Sequence, residues 1–76
     1  MKELLFYIVK ALVDNPDDIR INEVMREGEL ILELTVAPSD MGKVIGRQGR
    51  IVKAIRSIIK SAAAHDNIRV NVDIIG

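Results

Sequence analysis

Cysteine and tryptophan are absent from the 76 residues, phenylalanine and tyrosine occur once each, and His65 is the only histidine. Without cysteine there is neither a disulfide framework nor a thiolate metal site, so no covalent staple supports the fold. A lone histidine has no second imidazole or thiol with which to complete a zinc site, and no cofactor is expected. The composition fits an intracellular setting. Long apolar runs are missing too. The start, MKELLFYIVK, is interrupted by Glu3 and Lys10 and is followed by acidic DNPDD rather than a small-residue cleavage site, unlike a secretory signal. Nothing approaches the ~18 unbroken apolar residues of a membrane span. A soluble, cytoplasmic protein with no membrane partner is expected.

A further absence concerns charge of one sign. Met41 to His65 contains six basic residues, Lys43, Arg47, Arg50, Lys53, Arg56 and Lys60, and no acid. The formal net charge of zero therefore conceals a polar molecule, plus six in this stretch against minus six elsewhere. A local basic patch attracts an anionic polymer even when the whole chain is neutral.

Catalytic constellations are also lacking. No carboxylate pair sits in an apolar setting and no Ser/His/Asp set can be assembled. Gly42-Lys43 lacks the rest of a P-loop, and Gly42 to Gly49 does not spell Gly-x-Gly-x-x-Gly. No enzyme is expected. The chain is short enough for one domain, residues 1–76, burying about 60% of its unfolded surface. Its 49% hydrophobic content can fill a core and leave apolar surface for a partner.

What is present reads as six elements. From Lys2 to Val13, Leu4, Leu5, Ile8, Val9, Leu12 and Val13 recur in pairs four apart, an amphipathic helix that DNPDD ends. Strands IRINEVM and ELILELTVA follow, joined by a short turn in which Gly28 is free to take positive φ, with Leu30, Leu32, Leu34 and Val36 on one face. Ser39 is the expected N-cap of a short helix, Asp40 to Ile45, with Asp40 favouring its positive end. After GRQG a long helix runs from Arg50 to about His65, with Ile51, Val52, Ile55, Ile58, Ile59 and Ala62 on one face. Asp66 and Asn67 stop it, and a strand NIRVNVDII turns Ile68, Val70, Val72 and Ile74 one way. The order α-β-β-α-α-β predicts an α+β two-layer sandwich, a three-stranded sheet covered on one face by three helices.

The GRQG stretch interrupts what would otherwise be continuous helix. The first amides of a helix lack intrahelical partners and, with the helix dipole, attract anions. Gly46 and Gly49 place no side chain in the way of a phosphodiester. Arg47 and Gln48 stand at the tip, Lys43 and Arg50 flank them, and Val44, Ile45 and Ile51 offer an apolar wall for bases. Lys53, Arg56 and Lys60 share one side of the long helix, where they either extend the phosphate track or form a solvated face; spacing alone leaves both open.

The run Val44-Ile45-Gly46-Arg47-Gln48-Gly49-Arg50-Ile51-Val52-Lys53-Ala54-Ile55 resembles the signature of K homology (KH) domains, a hydrophobic pair, Gly-x-x-Gly, then isoleucines at helical spacing. The element order resembles their type II arrangement, so the likeness covers essentially the whole chain. The resemblance implies a mixed sheet with one parallel strand pair, and a GXXG loop that clamps about four nucleotides of single-stranded RNA. The site it implies comprises Lys43, Val44, Ile45, Gly46, Arg47, Gln48, Gly49, Arg50, Ile51 and Lys53. It also implies a dimer with itself and a heterodimer with a larger Jag-type KH protein. The role expected is post-transcriptional regulation, as an RNA-chaperone-like or adaptor subunit. Phe6 and Tyr7, both on the first helix, cannot supply the aromatic stacking platform of other RNA-binding folds. The alternative is a protein-interaction adaptor for which RNA contact is secondary.

Overall fold

The computed structural model describes all 76 residues. Helix α1, Lys2–Lys10, buries Leu5 and Val9. Regular α-geometry ends at Lys10, three residues before the apolar pattern does, because the amides of Leu12 and Val13 both turn back to the carbonyl of Val9. Pro16 then opens a single 3₁₀ turn, Pro16–Asp18, at a position where its missing N–H costs no hydrogen bond.

Strands β1, Arg20–Arg26, and β2, Glu29–Thr35, form an antiparallel hairpin in which Arg26 faces Glu29. Its two-residue loop has both Glu27 (φ 51°) and Gly28 (φ 80°) in the left-handed region, as a type I′ turn requires. A 3₁₀ turn, Pro38–Asp40, leads into α2, Met41–Ile45; a second, Arg47–Gly49, separates it from α3, Arg50–His65. Strand β3, Val70–Ile74, pairs with β2 in parallel, Leu32 opposite Val72, so the sheet order is β1-β2-β3. Two helices and their turn supply the crossover that a parallel pairing demands.

One core of 13 buried residues joins the layers: Leu5 and Val9 from α1, Leu32 and Leu34 from β2, Val44 from α2, Ile55, Ile59 and Ala63 from α3, and Val70 and Val72 from β3 are among them.

Three local expectations are corrected. Ser39 caps nothing: the N-cap position of α2 is Asp40, and no side chain bonds the helix amides there. The buried stripe of α3 is Val52, Ile55, Ile59 and Ala63, whereas Ile58 is 48% exposed and Ala62 only half-buried. Strand β3 begins at Val70 rather than Asn67, because Asn67 (φ 55°) and Ile68 close α3. The amide of Asn67 reaches the carbonyl of Ala64 and that of Ile68 reaches Ala63, a Schellman cap, which leaves Ile68 43% exposed.

Candidate nucleic-acid interface

The GRQG turn is built on left-handed backbone. Gly46 lies at φ 75°, ψ 173°, a region open essentially to glycine alone, and Gly49 at φ 72°, ψ 17°. Gln48 (φ 56°, ψ 26°) takes the left-handed form without being glycine. The two glycines answer different demands. A Cβ on Gly46 would sit 2.4 Å from Cγ1 of Ile51, so the side chain of Ile51 fills the place a residue there would need. At Gly49 the nearest atom would be Val52 Cγ1 at 3.8 Å, an ordinary contact, and only φ selects glycine.

Within the turn the amide of Gly49 donates to the carbonyl of Gly46 and that of Arg50 to Arg47. No side chain caps the N-terminus of α3. Arg47, Gln48 and Arg50 are exposed, and neither arginine has an acidic partner. Ile45 and Ile51 are half-buried beside them, while Val44, expected in the apolar wall, has no exposed surface and belongs to the core. The turn lines no enclosed pocket. The widest groove, about 410 Å³ between Thr35, Val36, Met41 and Ile75, lies elsewhere, and the turn itself is an exposed ridge.

Lys43 is placed differently from the other cations. Its ammonium pairs with the carboxylate of Asp14 and, at 3.4 Å, with Oδ1 of Asp40. Asp40 is fully buried and also accepts the amides of Asp14 (3.1 Å) and Asn15 (3.0 Å) and the Asn15 side-chain amide (3.1 Å). Burial pushes its carboxyl up, but those donors and Lys43 together outweigh it and hold the group below the ordinary carboxylate value. Asp14 raises Lys43 above the usual lysine value, against desolvation and with help from Asp40. This cluster ties the segment after α1 to the start of α2. Sequence reasoning assigned Asp40 to the helix dipole; partners 25 and 26 residues away leave no local signal.

The basic row of α3 acquires a direction. At 100° per residue, Gly49, Lys53, Arg56 and Lys60 fall within about 60° of arc, so the row starts at the turn itself. Arg56 Nε donates to the carbonyl of Val72 at 3.0 Å. In a parallel ladder whose inward groups come from Arg69 and Ile75, Val72 points its carbonyl to the outer edge of β3. The row therefore overhangs that edge, beside the core-facing stripe. Lys53 and Lys60 are exposed and have no acidic partner.

A mixed three-stranded sheet under three helices, with a Gly-x-x-Gly turn between the second helix and the third, is a KH-type fold in its type II order. Sequence comparison narrows this. The chain belongs to the KhpA/KhpB family of KH domains, whose model matches residues 2–74. It is similar to proteins named RNA-binding protein KhpA: 59% identical over 75 residues to that of Clostridium perfringens and 61% to that of Clostridium acetobutylicum, each covering 99% of this chain and 100% of the relative. The KhpA of Chlamydia trachomatis is 50% identical over 74 residues, 97% of this chain and 95% of that protein. No helix is long and apolar enough to cross a membrane.

Proposed function

We propose that the protein binds single-stranded RNA without catalysis, holding the backbone at the GRQG turn and laying bases across α3 toward the outer edge of β3, in post-transcriptional regulation in the cytoplasm. The observation that carries this reading is the pair of exposed arginines without acidic partners, Arg47 and Arg50, around an α3 N-terminus that no side chain caps. Membership of a family whose relatives are named for RNA binding supports the ligand class. Lys43, Ile45, Gly46, Gln48, Gly49, Ile51 and Lys53 complete the site. Val44 supports it from the core, and Lys43 reaches RNA only by leaving its carboxylates. The test is the double substitution Arg47→Asp, Gln48→Asp. Both positions are exposed, so the variant stays folded by circular dichroism and loses binding in fluorescence anisotropy with a labelled oligouridine; undiminished binding refutes the clamp.

A second reading, an adaptor that pairs with itself or with a larger Jag-type KH protein, is favoured by the outer face of α3. Ile58 is 48% exposed there, flanked at helical spacing by Ala54, Ser61 and Ala62, small enough to admit another helix. Ile58→Asp should then shift sedimentation from dimer to monomer, and a wild type that is monomeric at tens of micromolar, about the range of weak association, excludes self-pairing.

A further inference from the structure

The sheet has two edges, and they differ in what the main chain leaves open. In β3 the amide of Val72 donates to Oδ1 of Asn71 at 2.9 Å and its carbonyl accepts Nε of Arg56 at 3.0 Å. Nothing does this for β1. The amide of Leu30 reaches the carbonyl of Arg69 and the carbonyl of Leu34 accepts the amide of Ile75, so Leu30, Leu32 and Leu34 turn their main-chain groups toward β3. Alternation then directs Ile31 and Glu33 to β1, where they face Val24 and Asn22. The N–H and C=O of Ile21, Glu23 and Met25 are left pointing outward, without a protein partner. Edges of this kind are usually blunted by proline, lysine, a bulge or a very short strand. The seven residues of β1, RINEVMR, have none of these and pair with β2 in unbroken register.

Helix α1 adds a wall beside this edge. Phe6, 40% exposed, lines a groove of about 380 Å³ with Ile19 and Ile21, and Lys2 and Glu3 form its rim. Glu23 and Met25 share a face with Ile21 farther along β1, and both are exposed. An extended chain added to β1 therefore lays every second side chain against apolar Phe6 and Ile21, then acidic Glu23, then apolar Met25. Asp17 and Asp18, exposed just ahead of Ile19, add negative charge at the near end, and neither they nor Glu23 has a cationic partner. Lys2 is the one cation in the groove lining; the guanidinium of Arg20 is bound to the carbonyls of Asp17 and Ile19. This side of the molecule thus has the charge opposite to that of the α3 row. A second copy of the chain is a poor occupant. Symmetric antiparallel pairing over the whole strand sets Glu23 against Glu23 and Arg20 against Arg26, like charges directly opposite.

We infer that the β1 edge and the Phe6 groove form a docking site for a basic, extended peptide, which adds an antiparallel fourth strand with an apolar side chain in the groove and a cationic one against Glu23. Main-chain bonds to Ile21, Glu23 and Met25 supply the attraction common to any added strand, and the groove and the acids select among them. The site lies at the edge of the sheet opposite β3 and does not depend on the RNA-binding reading.

The probe is a fluorescein-labelled peptide, Val-Thr-Arg-Thr-Leu-Thr-Lys, whose valine, arginine and leucine are placed to face Met25, Glu23 and Ile21. Anisotropy titration with the full chain saturates, and the amides of Ile21, Glu23 and Met25 exchange more slowly in the complex than in the free protein. N-methylation of the arginine removes a donor aimed at β1 and weakens binding about tenfold, whereas N-methylation of the central threonine, whose N–H points away, changes it less than about twofold. Glu23→Lys, a change at an exposed position, weakens binding about fivefold, the scale of a cross-strand charge pair reversed. No saturation by about 1 mM peptide overturns the inference. So do equal effects of the two methylations, the mark of charge attraction without strand pairing, and equal binding of a peptide with glutamates in place of the arginine and lysine. Protection of the same three amides in the free protein that grows with its concentration gives the edge to a second copy and overturns the inference as well.

Discussion

Glycine at a turn can answer to packing or to backbone conformation, and Gly46 and Gly49 let the two demands be separated. Gly46→Ala must adopt a backbone region open essentially to glycine and drive a methyl group into Ile51. We expect a loss of about 3 kcal/mol from the combined strain and overpacking. For a domain this size that is a large share of the total, about 4–11 kcal/mol at the usual per-residue stability. Gly49→Ala meets no neighbour closer than ordinary contact and should cost only about 1 kcal/mol, the left-handed penalty for a side chain. Urea unfolding of the two variants checks the contrast, and equal losses would show that the packing of Ile51 does not discriminate them. Asp40 carries a pH signature of its own. Its folded-state pKa lies below the unfolded value, about 3.9 for an ordinary aspartate, so its contribution is complete above that value and disappears as pH falls through the lower folded one. Lys43 is shifted the other way, so its share is present at every pH below the ordinary lysine value and does not change near neutrality. Asp40→Asn should therefore be less stable than the wild type at pH 7, with the gap beginning to narrow as pH falls below about 4, the ordinary aspartate value. A gap independent of pH would mean that the carboxylate's charge contributes nothing.

Elements were legible in the sequence wherever a local rule decides them. The four-residue pairing in α1, the alternation in β2, the Glu27-Gly28 turn and the periodicity of α3 are each properties of a short window. The GRQG break was legible in its two glycines between helical periodicities, whereas the parallel pairing of β2 with β3 followed from the resemblance to KH domains. What remained hidden was set by contacts distant in sequence or by competition between neighbouring elements. The wheel of α3 offers two adjacent apolar stripes, one through Ile55 and Ile59 and one through Ile58, and only the sheet's position chooses between them. Arg56 finds Val72 across 16 residues, which no window reveals. Asn67 was read both as a stop for α3 and as the first residue of the strand, and Ile68 as strand because it alternates with Val70, yet the helix claims both through its Schellman cap. That claim is testable at Asn67. Its left-handed φ is cheap for asparagine and glycine but not for alanine, so Asn67→Ala should cost about 1 kcal/mol while Asn67→Gly stays near the wild type. Equal stabilities in thermal unfolding would mean that the cap does not hold α3's end.

At the scale of the whole molecule, net charge and charge distribution make opposite forecasts for nucleic-acid binding. A protein with eleven basic and eleven acidic side chains has no overall field to draw an anion, and by that measure affinity would respond weakly to salt. The distribution says otherwise. The acids lie outside residues 41–65, and only Lys43 of the six cations within that stretch is paired with any of them. Five cations remain unpaired, and on the proposed reading three of them, Arg47, Arg50 and Lys53, displace counterions from a bound strand. Three phosphate contacts on a single strand give a slope of log affinity against log salt near −2, which is a loss of about twentyfold between 50 and 200 mM. Anisotropy titrations with one oligoribonucleotide across that range measure it. Removing one contact with Arg50→Ala should lower the slope by about 0.7, the share of a single phosphate. A slope near zero in the wild type would mean that the strand does not follow the basic row, however tightly it binds. A slope near −3 would point to a fourth cation, either the unpaired Lys60 at the far end of the row or Lys43, and Lys43 becomes that cation only if RNA outcompetes Asp14 and Asp40 for its ammonium. In that case binding would loosen the tie between the segment after α1 and the start of α2, and the amides of Asp14 and Asn15 would exchange faster in the complex than in the free protein.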